Sequence, residues 1–439
     1  MSVATAVGGG RAEPLAVDGG TPVRHHSRAW PRWPVPAAGA EHLLNEVLHR
    51  GRWAISGPGE GELFERRFAA RFAEYTGARH CVPTDHGSSA LVIALESLGL
   101  EQGAPVAVPA LTWVACATAV FRAGLVPVLV DVDEHTGCLT PQTLPMDVFP
   151  AAILAVHWAC AMADVPALTE FAEPRGAVVV EDAAQAPGAL WQGRRAGSLG
   201  RLGCFSMHHA KALTCGEGGA VVTDDPVLAM RLEELRADSR RYRPESRPGM
   251  LDLTETASVM GSNFCLNEFG AALACAQLEV LDEQHTVRNR NYALLATLLA
   301  GTPEVRLLRH APQQDGLALY EVPVVFDGLP RGTDIASVAE ALTAELGFPV
   351  YPPRAPLHRS SLLRPGSKAA LAPLAERFEV LHRDRSYPVA EYLSTHAVLL
   401  HHRAFLGTEE DMADLASAVA KVTAALRTRG QRRASDGRN

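Results

Sequence analysis

The stretch Val178-Val-Val-Glu-Asp-Ala-Ala-Gln185 decides the fold, because a continuous apolar run ends in two carboxylates and is followed by small residues. Similar runs precede it and predict short strands at 80–83, 106–109, 126–132 and 152–156. Helical patterns lie between them, among others at 112–123 and 165–172. Strands that are apolar on both faces and alternate with helices are typical of a parallel sheet covered on both sides. The predicted class is therefore α/β with a mostly parallel central sheet, and functional side chains are expected at the carboxyl ends of its strands.

The pattern changes after Asp282 and predicts a second, smaller α+β domain. Its elements are a connecting helix, a strand and two amphipathic helices, predicted at 283–299, 317–325, 333–346 and 412–426. The predicted division is a disordered start, a large domain, a small domain and a disordered tail, at 1–12, 13–285, 286–428 and 429–439.

Charge and composition exclude several classes of protein. The chain has 439 residues, 47% of them hydrophobic, and a net charge of −8, from 41 basic and 49 acidic residues. An acidic balance without a basic stripe argues against nucleic-acid binding. The one cluster of arginines lies in the last residues, from Arg427 onward, among polar residues typical of a frayed end.

Cysteines and hydropathy indicate neither a metal site nor a membrane segment. The eight cysteines are scattered, with no zinc-like spacing, so we predict no metal. No apolar run reaches the roughly 18 residues that a membrane span needs. The start has no charged segment followed by an apolar one, and we expect a cytoplasmic protein.

Hydroxyl-bearing and small residues follow the first predicted strand, in Asp85-His-Gly-Ser-Ser-Ala-Leu91. Backbone N–H groups at a helix N-terminus attract an anion, and hydroxyl groups add donors. Ser88 and Ser89 are therefore candidate phosphate ligands. An ordinary helix N-cap by either serine is the alternative interpretation.

Three residues at predicted strand ends suit a flat, charged cofactor. Trp113 follows the second strand and suits ring stacking, although a core position fits it equally well. Asp182 ends a buried strand, where a carboxylate needs a cationic or strongly donating partner such as a protonated pyridine nitrogen. Gln185 follows and can donate to a ring hydroxyl. A helix cap is the alternative role of Asp182.

Lys211 stands between an apolar run and the Gly-rich turn Gly216-Glu-Gly-Gly219. Burial lowers the pKa of a lysine and favours a nucleophilic amine that forms a Schiff base. Ser206, five residues earlier, is a further candidate phosphate ligand. The alternative for Lys211 is an exposed loop position, the commonest place for a lysine.

Two asparagines, Asn263 and Asn267, stand before an apolar helix that is predicted to continue through Leu281. Capping of that helix is their simplest role.

Seven short motifs occur in an order that is highly specific. They are Gly-Ser-Ser-Ala-Leu, Leu-Thr-Trp-Val-Ala, Glu-Asp-Ala-Ala-Gln, Gly-Ser-Leu-Gly, Phe-Ser-Met-x-x-x-Lys, Gly-Glu-Gly-Gly-Ala-x-x-Thr and Asn-x-x-x-x-Glu-Phe. The set resembles the DegT/DnrJ/EryC1/StrS family of sugar and cyclitol aminotransferases over about residues 18–421. The resemblance implies the fold-type I architecture of enzymes that use pyridoxal 5′-phosphate (PLP), with a large PLP domain and a small C-terminal domain.

Roles carried over from the resemblance fall on matching positions. Lys211 is implied to hold PLP as a Schiff base, Asp182 to pair with the pyridine nitrogen and Gln185 to contact the ring hydroxyl. Trp113 is implied to stack on the ring.

The phosphate positions of the family match Ser88, Ser89 and Ser206. Asn263 matches a residue that reaches the phosphate from the neighbouring subunit. The resemblance therefore implies a homodimer with shared active sites.

Within the family, the motifs and the stretches 236–242 and 351–353 are most similar to glutamine-dependent scyllo-inosose aminotransferases. That similarity implies transfer of an amino group from L-glutamine or glutamate to a keto-cyclitol or keto-sugar in antibiotic biosynthesis. Tyr351 is a candidate substrate contact.

Two departures from the family pattern leave the acceptor open. The chain has His157-Trp-Ala-Cys160 where relatives often have His-Leu-Tyr-Gly or His-Leu-Tyr-Cys, and His208-His209 where they often have Gln-Gln. Imidazoles titrate near neutral pH, so His157 and His208 are candidate substrate contacts. Neutral packing changes are the alternative.

Three other functions stay open. One is a PLP-dependent dehydration, although dehydratases of this family replace the lysine with histidine and Lys211 is present. The second is an aromatizing synthase on the same scaffold. The third is a non-catalytic PLP-binding partner of an active paralogue.

Overall fold

The structure is a computed structural model, and it describes residues 13–56, 61–145, 147–242 and 253–436. The predicted disordered start at 1–12 lies outside the described residues, as do the last three residues of the predicted tail.

Strands of the large domain come first in the chain. They are β1 (His80–Thr84), β2 (Pro105–Pro109), β3 (Val126–Val130), β4 (Ala152–Val156), β5 (Val178–Asp182), β6 (Leu190–Trp191), β7 (Arg194–Arg195), β8 (Leu202–Ser206), β9 (Gly219–Thr223), β10 (Arg240–Tyr242) and β11 (Leu253–Glu255). Seven of them form one sheet in the order β1-β9-β8-β5-β4-β2-β3. Only the two pairs that include β9 are antiparallel, so the predicted mostly parallel sheet is confirmed.

Helices surround this sheet. They are α1 (Ala40–Arg50), α2 (Phe64–Thr76), α3 (Gly87–Ser97), α4 (Ala115–Arg122), α5 (Val165–Ala172), α6 (Pro226–Arg236), α7 (Glu268–Glu279) and α8 (Leu281–Leu299). Every residue of β3 and β4 is buried, as expected of strands covered on both faces. Asn267 caps α7 by accepting from the Gly270 N–H, so the capping role predicted for this asparagine is confirmed.

A four-stranded antiparallel sheet forms the small domain. Its strands are β12 (Val305–Leu307), β13 (Glu321–Phe326), β14 (Val350–Tyr351) and β15 (Ala397–His401), in the order β12-β13-β15-β14. Its helices are α9 (Ile335–Leu346), α10 (Ala372–His382), α11 (Pro388–His396) and α12 (Glu409–Asp436). Helix α8 packs against α12, so the predicted boundary at 285/286 falls inside a continuous helix that serves both domains.

The prediction that the large domain begins at residue 13 is wrong for the first described segment. The backbone N–H of Ala16 donates to the Glu345 carboxylate of α9 over 2.8 Å. Arg24 is buried and forms ion pairs with Asp411 and Asp414 of α12, at 2.7 and 2.8 Å. A buried guanidinium needs carboxylate partners, and the small domain supplies them.

Helix α12 continues to Asp436, past the end predicted at residue 428, so the tail was assigned as disordered too early. The polar composition of residues 429–439 predicted fraying. Helix α12 packs against α8 and α9, and it continues into this polar stretch. Within the described residues, none of the helices combines the length and the hydropathy that crossing a bilayer requires.

Candidate active site

A cavity of about 760 Å³ lies between the carboxyl ends of the central strands and the small-domain sheet. We call the central-sheet side the inner wall; it is formed by Asp182, Gln185, Ser206 and Lys211. The opposite side, the outer wall, is formed by Glu321, Tyr351 and Arg354. Ser88, Trp113 and His208 also line the cavity, so it brings together most of the predicted site residues.

Asp182 is the last residue of β5 and is only 5% exposed. Its carboxylate accepts from the Cys116 thiol and from the Ala184 N–H, each over 3.0 Å. Burial raises the pKa of Cys116, and the neighbouring Asp182 raises it further, so this partner is a neutral thiol. Asp182 forms no ion pair with any residue that the structure describes, and no helix starts here for it to cap. A buried carboxylate facing a cavity in this way fits a protonated pyridine nitrogen.

Gln185 is oriented by the backbone opposite it. Its side-chain oxygen accepts from the Ala159 N–H over 2.6 Å. The amide nitrogen is therefore the group left to face the cavity, and it can only donate. Such a donor suits the hydroxyl oxygen carried by a cofactor ring. Ala159 adopts a left-handed conformation, φ 61°, in the segment where the chain departs from the family pattern.

The start of α3 and the end of β8 form a tight cradle beside the inner wall. A Cβ on Gly87 would lie 2.6 Å from the Ser206 Cβ, so only glycine permits this approach. The first N–H groups of a helix have no partner within it and attract an anion. His86 is the N-cap residue and makes no side-chain cap bond, so neither Ser88 nor Ser89 caps the helix. The cradle fits a phosphate group.

Lys211 lies in the turn between β8 and β9 and is half-buried. Its Nζ is 3.9 Å from the centroid of the Tyr320 ring. Burial of the cation lowers the pKa of Lys211, against the attraction of Asp182 and Glu321. A lowered pKa favours the neutral, nucleophilic amine. The sequence has only three lysines, and of the other two Lys368 is exposed while Lys421 pairs with Glu345 at 2.9 Å.

Three predicted site residues do not line the cavity, namely Ser89, Asn263 and His157. Ser89 is buried in α3. Asn263 is exposed and bonds locally to the Cys265 N–H at 3.4 Å. Its contribution from a neighbouring subunit stays a prediction.

The prediction that His157 contacts substrate is wrong. Its ring is buried, and Nε2 lies 3.0 Å from the Glu181 carboxylate while Nδ1 accepts from the Ala163 N–H. The same Glu181 accepts from three backbone N–H groups of the 197–200 turn. Since both ring nitrogens are engaged away from the cavity, His157 secures the end of β4.

Of the three outer-wall residues, the sequence predicted only Tyr351 as a substrate contact, and that residue lines the cavity. Glu321 and Arg354 were not predicted as site residues. Glu321 begins β13, and burial raises the pKa of its carboxyl to about 6, although Lys211 and Arg354 oppose the rise. Arg354 stands over the Trp113 ring, with its Cζ 4.5 Å from the centroid. Trp158 also lines the cavity. The sequence signal for Glu321 was a charged residue directly before the apolar run of β13.

The rim carries a second group of titratable side chains. Glu217 lies 3.6 Å from His86 Nε2 and 3.8 Å from His208 Nε2. The predicted contact His208 is therefore at the mouth of the cavity, beside a carboxylate.

Comparison of the chain with known proteins identifies its family. The model of the DegT/DnrJ/EryC1/StrS aminotransferase family matches residues 38–419. The chain belongs to this family. The family is one of PLP-dependent aminotransferases, and this chain is an enzyme of that type.

Two curated relatives match this aminotransferase almost end to end. An L-glutamine:2-deoxy-scyllo-inosose aminotransferase of Streptoalloteichus tenebrarius is 47% identical over 431 residues, which are 96% of this chain and 99% of the relative. An L-glutamine:scyllo-inosose aminotransferase of Streptomyces griseus is 41% identical, over 93% of this chain and 97% of the relative. Among solved structures, 3-amino-5-hydroxybenzoic acid synthase superposes with a TM-score of 0.78 at 30% identity, covering 92% of this chain and 100% of that one. The predicted fold-type I architecture is confirmed.

Proposed function

We propose that this aminotransferase moves an amino group from L-glutamine to the carbonyl carbon of a keto-cyclitol, with Lys211 holding PLP. One observation carries the proposal: Lys211, whose pKa is lowered by burial, shares a cavity with the buried Asp182 carboxylate, which has no ion-pair partner among the described residues. The choice of glutamine and of a cyclitol rests on the names of the two curated relatives.

The inner wall would hold the cofactor through contacts of different kinds. PLP, when bound, supplies an electron sink for the carbon next to the reacting amine. Asp182 keeps the proton on the ring nitrogen, and the Gln185 amide donates to the ring oxygen. The α3 N-terminus and Ser206 bind the phosphate, and the Trp113 indole packs over the ring.

The surroundings of Lys211 favour the neutral amine that the chemistry requires. Once the donor amine has displaced Lys211 from the cofactor, Nζ is a free amine, and because desolvation lowers its pKa it is available to accept the proton from the α-carbon of the bound donor. The same nitrogen returns a proton later in the cycle. General acid–base catalysis by a positioned amine contributes roughly 10²- to 10⁴-fold.

We also propose a cytoplasmic homodimer with shared active sites. Asn263 does not line the cavity of its own chain, and its exposed position leaves it available to a second subunit. Light scattering of the purified protein and the loss of PLP affinity in Asn263→Ala would test the shared site.

The test of the proposed function follows the cofactor absorbance of PLP-loaded protein. Addition of L-glutamine should replace the band of lysine-bound PLP with that of pyridoxamine phosphate. Scyllo-inosose or 2-deoxy-scyllo-inosose should then restore the first band and yield an amine detectable by mass spectrometry. An unchanged spectrum with glutamine, glutamate and alanine would contradict the proposal, and an aromatic product would favour the synthase.

A further inference from the structure

The outer wall contains a carboxylate for which the described residues offer no partner. Glu321 lines the cavity and is half-buried. Among the residues that the structure describes, none donates a hydrogen bond to its carboxylate, and no basic side chain lies within ion-pair distance. Burial without a partner is costly for a charge, so a carboxylate kept in this place is available to a ligand.

The strand register fixes the direction in which Glu321 points. On β13 it lies opposite His401 of β15, two residues from the pair Pro323–Leu399. Leu399 also lies opposite Tyr351 of β14. Side chains two residues apart on a strand share a face, so Glu321, Leu399 and Tyr351 lie on one face of the sheet. All three line the cavity, so this face of the small domain forms its outer wall.

The chemistry of the outer wall distinguishes between ligands. An ionised carboxylate only accepts hydrogen bonds. It therefore suits the amide N–H₂ of glutamine or a hydroxyl of a cyclitol, and it repels the side-chain carboxylate of glutamate. Arg354, exposed at the same wall, suits the α-carboxylate that both amino acids carry.

We propose that the Glu321 carboxylate selects uncharged, hydrogen-bond-donating substrates and rejects anionic ones in both halves of the reaction. This selection rests on the proposed function, since it concerns the donor and acceptor named there. Glu321 thereby determines specificity and takes no part in proton transfer. It also disfavours acceptors that carry a phosphate or diphosphate near the reacting carbon.

The test compares glutamine with glutamate in the first half-reaction, followed by the loss of the absorbance of lysine-bound PLP. The ratio of their kcat/KM values cancels everything the two donors share, including the α-carboxylate. In Glu321→Gln the preference for glutamine should fall on the order of tenfold or more, chiefly because glutamate reacts faster, since a like charge has been removed. Glu340→Gln is the matched control: it removes a carboxylate from the small domain, but one that is exposed on α9 and does not line the cavity. In that variant the ratio should stay within about twofold, because its charge lies outside the cavity and is screened by solvent.

A binding measurement keeps this inference separate from the proposed function. Calorimetric titration of PLP-loaded protein with scyllo-inositol, an unreactive cyclitol, needs no turnover. The dissociation constant should rise about tenfold in Glu321→Gln and stay unchanged in Glu340→Gln. Wild-type protein that reacts with neither amino acid would refute the proposed function, while the titration would still decide the role of Glu321. An equal ratio in wild type and Glu321→Gln, or equal binding of scyllo-inositol, would overturn the inference.

Discussion

The two walls of the cavity differ in how their residues are encoded. Inner-wall residues stand at or shortly after the ends of β5 and β8, which are neighbours in the central sheet, and each lies inside a short motif of the sequence. Outer-wall residues come from β13, from β14 and from the loop after it, and they reach the cavity only because the small domain packs over the central sheet. Cofactor chemistry is thus encoded locally, whereas substrate choice depends on the arrangement of the domains.

The largest effect that would test this division is expected at Lys211. Lys211→Ala should lower transamination about 10⁴-fold, because it removes both the attachment of the cofactor and the proton carrier. Stopped-flow absorbance with L-glutamine measures the loss. Lys368→Ala, on the exposed loop of the small domain, should behave like wild type. If Lys211→Ala turned over as fast as wild type, the inner wall would have no part in the reaction.

A second inner-wall prediction concerns Asp182→Asn, which removes the charge of the side chain but keeps its shape. Asp182→Asn should keep the cofactor bound but lower kcat roughly 10²- to 10³-fold, as expected when one preorganised electrostatic group is lost. Single-turnover kinetics and the retained cofactor absorbance separate the two effects. Asp164→Asn is the control, because Asp164 caps α5 and asparagine caps equally well. A small effect in Asp182→Asn would mean that the ring nitrogen has another partner.

The sequence predicts the inner wall because its signals are local. The apolar runs before Asp182 and Ser206 and the Gly-rich turn after Lys211 each join a buried strand to a polar residue. The role of His157 could not be found in this way, since its partner Glu181 belongs to a different strand and the pair forms only when β4 and β5 align. Glu321 was missed because a charged residue before the apolar run of β13 does not by itself indicate a cavity, which forms only where the small domain packs over the central sheet.

At the outer wall the expected effects fall on substrate affinity. Arg354→Ala should raise the KM for L-glutamine about 10- to 100-fold through loss of a charge-assisted hydrogen bond, with kcat nearly unchanged. Steady-state kinetics measure the change, and Arg354→Lys should recover part of the affinity. A fall in cofactor occupancy instead would show that the two walls are not separable, since Arg354 also packs on Trp113.

The smallest effect expected is a pH dependence of donor choice. Burial raises the pKa of Glu321 to about 6, so its charge is lost as the pH falls through that value. The preference for glutamine over glutamate should therefore decline severalfold between about pH 7.5 and pH 5.5, while glutamate itself stays largely ionised. The ratio in Glu321→Gln should be flat over the same range. If the glutamine-to-glutamate ratio changed with pH in the same way in wild type and in Glu321→Gln, the titrating group would be one other than Glu321.

The central claim, that Lys211 holds the cofactor, has a direct chemical test. Borohydride reduction of PLP-loaded protein fixes the cofactor to its lysine, and peptide mass spectrometry then locates it among the three lysines of the chain. We predict that the label is found on Lys211 alone. A label on Lys368 or Lys421, or no label on a protein that has bound PLP, would contradict the account.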